Sequence, residues 1–484
     1  MLIFFYFLLL LYFWCAIIYL TKILEEYGVM AYSNLEQQRR RVRNIELSEK
    51  NNRSYFKRHR IRDYLPGQVV YSLSDYPAKA SFAPTNYDID LVRDLAKRGV
   101  GLIQLHEDWN DSVRVYGADK YSCYDPDGLK EFVKLCHSEG IKVIPYVSTG
   151  YIHEFDPDFR PEFIRLRSNL RARHLCYLRC NPASEYWREF IINKNFQVID
   201  EYGFDGIYND MGYDKKQQIK EAALARGETE YTVPYGFEIE DLLSTIYSGI
   251  KERGGIYKLH ADSNLAPACK DKVYDYLWIG ESMTTVEYGV GKDYYQYVVP
   301  CPDFQANVQG DYHYHVAKSV PFMQFPLIAR GRPLLGLAAN VDGVTYYQNL
   351  NEGKRAWHNE IFEYMKEHPN GPYVYGLWSS IPDAPENYDV WSHYLALYRP
   401  MVMENSLCYV ELRDSEDIIS PLEGNVFASM FVNEERYIVL SNFTGKPYEL
   451  KLSGIWENRE NGVRSSTFTV ENERVLFLKE IFIG

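Results

Sequence analysis

The stretch YGFDGIYNDMGYD, residues 202–214, connects a predicted helix end to a short apolar run and then to acidic residues. Gly203 stands where a helix would stop, and Phe204 and Ile207 are large apolar residues of the run. Asp210 follows where the run ends. This order is typical of a buried parallel strand whose carboxyl end presents a polar side chain at the edge of a sheet.

Helix and strand patterns alternate on both sides of this stretch. Eight strands are predicted, at residues 69–75, 101–109, 141–150, 204–210, 256–262, 274–282, 321–327 and 373–380. Strict alternation predicts parallel strands, and eight such units predict a (β/α)8 TIM barrel with insertions. We favour the barrel over a doubly wound sheet, because no glycine-rich phosphate loop follows the first predicted strand.

The hydrophobic period changes near residue 400. Six segments between residues 407 and 481 alternate apolar and polar side chains at period two, with turn residues between them. We therefore predict a barrel over residues 67–399 and a small antiparallel β-sandwich over residues 400–484. Residues 21–66 are basic and polar, and we expect a linker or an N-terminal helical arm there.

Residues 1–20 form an apolar segment in which no position carries a charge, and it is long enough to span a bilayer. No basic residue precedes it, which does not fit a secretory signal. Arginines such as Arg39 and Arg40 follow, and the positive-inside rule would then keep the large C-terminal part in the cytoplasm. The alternative is that Met30 is the true start, in which case residues 1–29 are a misassigned extension and the protein is cytoplasmic.

The composition restricts the partners. The chain of 484 residues has a net charge of −13, which argues against nucleic acid because phosphate binding needs a basic surface. Tyrosine occurs 43 times, and its flat apolar face with a polar tip suits sugar surfaces. Of eight cysteines, seven lie beyond the apolar segment without the spacing of a disulfide framework, so we expect free thiols in a reducing compartment.

In a barrel, functional groups come from the carboxyl ends of the strands. The polar and aromatic residues near the ends of the predicted strands are Asp75, His106, Glu107, Asp108, Trp109, Tyr146, Asn209, Asp210, His260, Asp262, Glu281 and Trp378. We expect them to form a sugar-binding mouth, where acids and histidines orient hydroxyls and tryptophans either stack on sugar rings or belong to the core. Asp210 and Glu281 end the fourth and sixth strands, so they can flank one bond, as the two carboxylates of glycoside cleavage do.

Two segments resemble TIM-barrel glycoside hydrolases. YDPDGLKEFVKLCHSEGIKVIPYV, residues 124–147, is similar to their second helix and third strand, and YGFDGIYND is similar to their fourth strand. In the α-galactosidase and α-amylase clans, a nucleophilic Asp ends strand four and a β-sandwich follows the barrel. The resemblance implies that Asp210 is the nucleophile and Glu281 the acid/base. The α-galactosidase clan uses Asp rather than Glu as its acid, so Asp262 on strand five, similar to the α-amylase arrangement, stays a rival.

These patterns predict hydrolysis of an oligosaccharide or glycoconjugate without a cofactor. The distance between the two carboxylates would show the stereochemical outcome: about 5–5.5 Å for retention of the anomeric configuration and about 6.5–9.5 Å for its inversion. One alternative is a carbohydrate-binding barrel without catalysis. Another is a metal-dependent hydrolase or lyase, with a divalent ion held by His106, His260 and the acids. We expect no metal, because the short His and Cys clusters lack the paired spacing of a structural zinc site.

Overall fold

The computed structural model describes residues 35–73, 81–106, 109, 121–123, 125–153, 156–164, 177–210, 235–261, 273–280, 290–291, 297–302, 311–332, 385–422 and 424–482. The α-helices are α1 (Leu35–Asn51), α2 (Asn86–Arg98), α3 (Pro126–Ser138), α4 (Glu185–Tyr202), α5 (Tyr235–Glu252), α6 (Tyr312–Ser319) and α7 (Pro385–Tyr398). Short 3-10 turns cover Pro161–Phe163, Val320–Phe322 and Arg399–Met401.

Strands make up two main sheets and one small ribbon. The strands are β1 (Ser54–Arg60), β2 (Gln68–Ser72), β3 (Leu102–Leu105), β4 (Lys142–Ser148), β5 (Tyr151–His153), β6 (Tyr177–Arg179), β7 (Gly206–Asp210), β8 (Ile256–Ala261), β9 (Tyr276–Ile279), β10 (Tyr297–Pro300), β11 (Ile328–Gly331), β12 (Leu407–Asp414), β13 (Val426–Val432), β14 (Arg436–Asn442), β15 (Tyr448–Asn458), β16 (Arg464–Val470) and β17 (Arg474–Ile481). The ribbon is the antiparallel pair β5 and β6.

Eight of these strands form a parallel sheet in the order β10-β9-β8-β7-β4-β3-β2-β11. The two ends of the sheet meet, because the Leu327 N–H, just before β11, donates a 2.9 Å hydrogen bond to the carbonyl of Pro300 at the end of β10. The ring is therefore closed, and the predicted (β/α)8 barrel is confirmed.

Six of the predicted strands correspond to β2, β3, β4, β7, β8 and β9. The predicted seventh strand, residues 321–327, is wrong: it contains the end of a 3-10 turn and an irregular segment, and the strand β11 begins only at residue 328. Pro321 and Pro326 explain the difference, since neither can donate to a strand ladder. The true seventh strand is β10, which the sequence pattern did not reveal. The predicted eighth strand, residues 373–380, lies outside the described residues.

Local sequence signals set the helix ends around the barrel. Thr85 caps α2 through a capping box with Asp88, and Gly99 ends the helix with a φ of 95°. Ser184 caps the N-terminus of α4, and Gly203 ends that helix in the left-handed region. The chain can then turn directly into β7, which places Asp210 at the carboxyl end of the barrel.

The second sheet is antiparallel, in the order β1-β12-β13-β14-β17-β15-β16, and confirms the predicted β-sandwich domain. Its own apolar cluster includes Trp456 and Leu440, both fully buried. One edge strand comes from the other end of the chain, because β1 pairs with β12 from Tyr55 opposite Leu412 to Arg60 opposite Leu407. The segment expected as a linker or helical arm thus contains α1 and a strand of this sheet.

The chain leaving β1 is fixed to the N-terminal end of the barrel. The hydroxyl of Tyr276 donates to the carbonyl of Asp63 at 2.9 Å and accepts from the Leu65 N–H at 2.8 Å. The hydroxyl of Tyr297 makes the same double contact with the carbonyl and N–H of Arg62, both at 2.9 Å. These two tyrosines begin β9 and β10, so residues 62–65 lie across the barrel floor.

Five cysteines in the described residues carry free, buried thiols: Cys123, Cys136, Cys180, Cys301 and Cys408. Among the helices that the structure describes, none combines the length and apolar character needed to cross a bilayer. The apolar segment 1–20 lies outside the described residues.

Candidate active site

Alternate residues of the barrel strands point into the barrel. Lys258 on β8 identifies the inner face, because its Nζ donates a 3.0 Å hydrogen bond to Oε1 of Gln68 on the opposite strand β2. His260 lies two residues further along β8 and so faces the same way. On β7, Tyr208 pairs in register with Lys258, and Asp210 lies two residues on. The inward rows of β7 and β8 therefore end with Asp210 and His260 at the carboxyl end of the barrel.

Asp210 contacts side chains of both neighbouring strands. Its Oδ2 accepts a 2.7 Å hydrogen bond from the hydroxyl of Tyr146 on β4. Its Oδ1 lies 3.5 Å from Nδ1 of His260 on β8. The Asp210 side chain remains 30% exposed, while that of His260 is 16% exposed. The hydrogen bond from Tyr146 thus orients the carboxylate, which is still accessible to solvent.

A layer of aromatic rings packs against His260, the neighbour of Asp210. Tyr208 and Trp278 stack with ring centroids 4.8 Å apart and an interplanar angle of 29°. His260 stacks on Tyr208 at 6.2 Å and lies 6.0 Å from Trp278. Trp278 is only 1% exposed and donates from Nε1 to the carbonyl of Gly280 at 2.8 Å, so it belongs to the core, as expected for a mid-strand position.

His106 directly follows β3 and is 4% exposed. Its backbone N–H donates to the carbonyl of Tyr71 at 3.0 Å, which continues the ladder between β2 and β3 beyond the strand ends. The predicted contact of His106 with a sugar stays a prediction. Of the site residues predicted from sequence, the structure brings Tyr146, Asp210 and His260 into direct contact.

Two of the predicted substrate-binding residues are fully buried. The Nε1 of Trp109 donates a 2.6 Å hydrogen bond to the carbonyl of Tyr146, so the ring belongs to the core, one of the two placements expected for tryptophans. Asn209 is also fully buried. Its side chain accepts from the Thr149 N–H at 3.1 Å and donates to the Tyr257 hydroxyl at 2.6 Å. Asn209 therefore ties strands together on the outer face of the barrel wall.

The remaining predicted site residues lie outside the described part of the chain. They are Asp75, Glu107, Asp108, Asp262, Glu281 and Trp378. The distance between the carboxyl groups of Asp210 and Glu281 thus stays a prediction. In the described residues, no group of three or more His, Cys, Asp or Glu side chains is arranged to hold a metal ion.

Sequence patterns did not point to Lys258, which lies directly below the site. It is fully buried, and the one signal for it was a charged residue inside the apolar run IYKLHA. A charged side chain on a barrel strand points either into the barrel interior or toward the outside of the barrel. Strand periodicity places it with His260 on the same face, and that face is the inner one.

A separate groove of about 1080 Å³ lies at the other end of the barrel. Its lining includes Lys142 and Tyr276, the first residues of β4 and β9, together with Arg62 and Asp275. This is the N-terminal face, at the opposite end of the barrel from Asp210. Because barrel enzymes build their sites at the carboxyl ends of the strands, this groove is not the candidate active site.

Comparison with known proteins finds similarity of fold. No protein-family model matches the chain, and no curated protein matches its sequence. The maltogenic α-amylase AmyB from Thermotoga neapolitana is 12% identical with a TM-score of 0.51, covering 86% of this chain and 99% of its own. The trehalulose synthase MutB from Pseudomonas mesoacidophila MX-45 is 13% identical with a TM-score of 0.50, covering 85% and 98%. The chain therefore shares its fold with an α-amylase and a trehalulose synthase.

Proposed function

We propose that this protein is a glycoside hydrolase that cleaves an oligosaccharide or glycoconjugate by a retaining, two-carboxylate mechanism. Asp210 is the nucleophile and Glu281 the acid/base. In the first step, Asp210 attacks the anomeric carbon while Glu281 gives its proton to the departing glycosidic oxygen. In the second step, Glu281 takes a proton from water, and the water oxygen displaces Asp210.

The observation that carries this proposal is the geometry of Asp210. A carboxylate at the carboxyl end of the fourth strand, 30% exposed and in contact with Tyr146 and His260, supports the assignment of Asp210 as the nucleophile. A carboxylate that served only to cap a helix or tie loops together would bind backbone N–H groups. Asp210 instead contacts two side chains of the adjacent barrel strands, Tyr146 and His260.

The fold supports the same conclusion. An α-amylase and a trehalulose synthase share the barrel over most of their own length. Both names denote proteins that act on sugars joined by glycosidic bonds. The second carboxylate is proposed from the end of the sixth strand, since β9 stops at Ile279 and Glu281 follows two residues later.

The first test identifies a substrate and then removes the nucleophile. Wild-type protein is assayed with a panel of nitrophenyl α- and β-glycosides and with natural oligosaccharides. On any substrate that is cleaved, we expect Asp210→Asn to lower turnover at least about 1,000-fold without changing the unfolding temperature. Asp90→Asn, on the exposed face of α2, is the matched control and keeps full turnover.

Covalent trapping tests the retaining step. A 2-deoxy-2-fluoro sugar with a good leaving group, chosen to match the substrate found, should add one sugar to the wild-type protein. Peptide mapping by mass spectrometry should place the sugar on Asp210. A label on another carboxylate, or full activity of Asp210→Asn, would contradict the assignment. Oligosaccharide binding without any turnover would support the non-catalytic barrel instead.

A further inference from the structure

A lysine crosses the interior of the barrel below the candidate active site. Lys258 on β8 and Gln68 on β2 lie on strands separated by three others in each direction around the ring. The 3.0 Å hydrogen bond from Lys258 Nζ to Gln68 Oε1 therefore passes through the barrel axis. Gln68 is fixed at its other end, since its Nε2 donates to the carbonyl of Leu65 at 3.0 Å.

The lysine also supports the aromatic layer. Its Nζ lies 4.9 Å from the ring centre of Trp278 and 5.8 Å from that of Tyr208. An ammonium group near an aromatic face is attracted to it, and this attraction grows when water is excluded. The same two rings contact His260, and His260 contacts Asp210. An uninterrupted chain of contacts thus runs from Gln68 through Lys258 to Asp210.

Stability alone does not account for a lysine at this position. Lys258 is fully buried, and no carboxylate of the described residues acts on its ammonium group. Burial lowers the pKa of the Lys258 ammonium to about 7, since the charged form is hard to accommodate without water. Barrel interiors are normally filled with branched apolar side chains, which would stabilise this layer without that cost. A buried lysine that lowers the stability of the fold and lies beneath a site is best explained by its effect on the side chains of that site.

We propose that Lys258 is a positioning residue of this active site: it fixes Trp278 and Tyr208, and through them holds the imidazole of His260 beside Asp210. Its effect on turnover rests on the proposed function, but its effect on His260 does not. Lys258 itself touches neither substrate nor the reacting atoms, because it is fully buried one layer below them.

The decisive variant is Lys258→Met, which removes the amine and keeps a long apolar side chain. The first readout is independent of hydrolysis: the ring nitrogen signals of His260 in histidine-labelled protein, identified by their loss in His260→Asn. We expect these signals to shift in Lys258→Met, since the imidazole loses its support. The matched control is Lys318→Met, because Lys318 lies 4.8 Å over the ring of Phe443 at a distant surface. It should leave the His260 signals unchanged.

The second readout is the kinetics on a substrate from the screen. We expect Lys258→Met to lower kcat by about 10- to 100-fold, as small displacements of a catalytic group do, with a much smaller change in KM. Unchanged His260 signals together with unchanged kcat would overturn the proposal, even if the melting temperature changed. If Lys258→Met does not fold, Lys258→Gln, which keeps an N–H donor toward Gln68, is judged by the same criteria.

The two proposals can fail separately. Shifted His260 signals in a protein that cleaves no glycoside would support the positioning role and leave the hydrolase assignment wrong. A hydrolase trapped on Asp210, in which both Lys258 variants behave as wild type, would support the function and refute the positioning role.

Discussion

The hydroxyl of Tyr146 donates a 2.7 Å hydrogen bond to Asp210 Oδ2, and a hydrogen bond to a charged group contributes about 1.5–3 kcal/mol. Tyr146→Phe removes this donor and keeps the ring, which packs at 5.7 Å from Tyr208. We expect kcat/KM to fall by about 10- to 100-fold, since about 1.4 kcal/mol corresponds to a factor of ten. Steady-state kinetics measure the loss, and thermal unfolding should show little change because Tyr146 is only half-buried.

The control for this variant is Tyr186→Phe, at an α4 position that is 55% exposed and far from the site. It should keep wild-type kinetics. A Tyr146→Phe protein as active as wild type would mean that the orientation of Asp210 does not depend on this hydrogen bond.

Neighbouring residues in the sequence show how far the site could be predicted. Asp210 was predicted because an acid at the end of an apolar run marks the edge of the sheet. Asn209 and Trp109 were predicted in the same way, from their positions near the ends of apolar runs, but both side chains are fully buried. Which of two adjacent side chains enters the barrel depends on the strand register, and a one-residue difference exchanges the faces. The register is set by contacts between strands, so it cannot be predicted from the sequence of one strand alone.

At the scale of secondary-structure elements, a buried ion pair connects the eighth strand to the first helix of the barrel. Arg332 follows β11 and donates to both carboxylate oxygens of Asp88 in the first turn of α2, at 2.8–3.1 Å. The hydroxyl of Tyr71 on β2 donates to the same carboxylate at 2.6 Å. Asp88 is fully buried and Arg332 is 5% exposed, so neither charge is compensated by water.

Removing the cation should be strongly destabilising. Arg332→Met leaves a buried carboxylate without its partner, and we expect a loss of about 3–5 kcal/mol in the free energy of unfolding, measured by urea denaturation. Arg93→Met is the matched control, since its ion pair with Glu139 is at the surface and should contribute less than about 1 kcal/mol. Equal effects of the two variants would show that burial does not strengthen the Arg332 pair.

The same pair gives a pH dependence with a defined sign. Burial favours the neutral acid, but hydrogen bonds from Arg332 and Tyr71 outweigh it and hold the pKa of Asp88 below its usual value. The unfolded chain therefore binds more protons than the folded one in the acid range. The stabilisation is complete above the unfolded pKa and is lost as the pH falls through the folded value. In Arg332→Met the pKa of Asp88 should be higher, so this loss should be smaller, and urea denaturation at several pH values should show the stability difference from wild type narrowing as the pH falls.

Elements were predicted well where their signals are local and poorly where they depend on distant pairing. The glycine stops and apolar runs located six barrel strands. The strand β10 is only four residues long, and its pattern was too short to recognise. The strand β1, with the sequence SYFKRHR, is mostly polar, and only its pairing with β12 at the other end of the chain makes it a strand. Such non-local pairing leaves almost no trace in the local composition.

At the scale of the whole molecule, residues 54–65 connect the two sheets. Their first part is the edge strand β1 of the sandwich, and their last part is fixed to the barrel floor by the hydroxyls of Tyr276 and Tyr297. A further contact supports the junction, since the Tyr64 ring stacks on Tyr297 with centroids 4.0 Å apart. We infer that the barrel and the sandwich stabilise each other through this segment.

This coupling predicts the unfolding behaviour of the whole chain. Tyr276→Phe removes a hydroxyl that satisfies both the Leu65 N–H and the Asp63 carbonyl, so we expect a loss of about 1–3 kcal/mol in the free energy of unfolding. Tyr276→Phe combined with Tyr297→Phe should release the segment. Wild type should unfold in one transition, with circular dichroism and tryptophan fluorescence giving the same curve, whereas the double variant should give two separated curves. Tyr186→Phe again serves as the control. A double variant that still unfolds in a single coincident transition would show that the two sheets are coupled elsewhere, for example through α6, which packs against β14 and β17 of the sandwich.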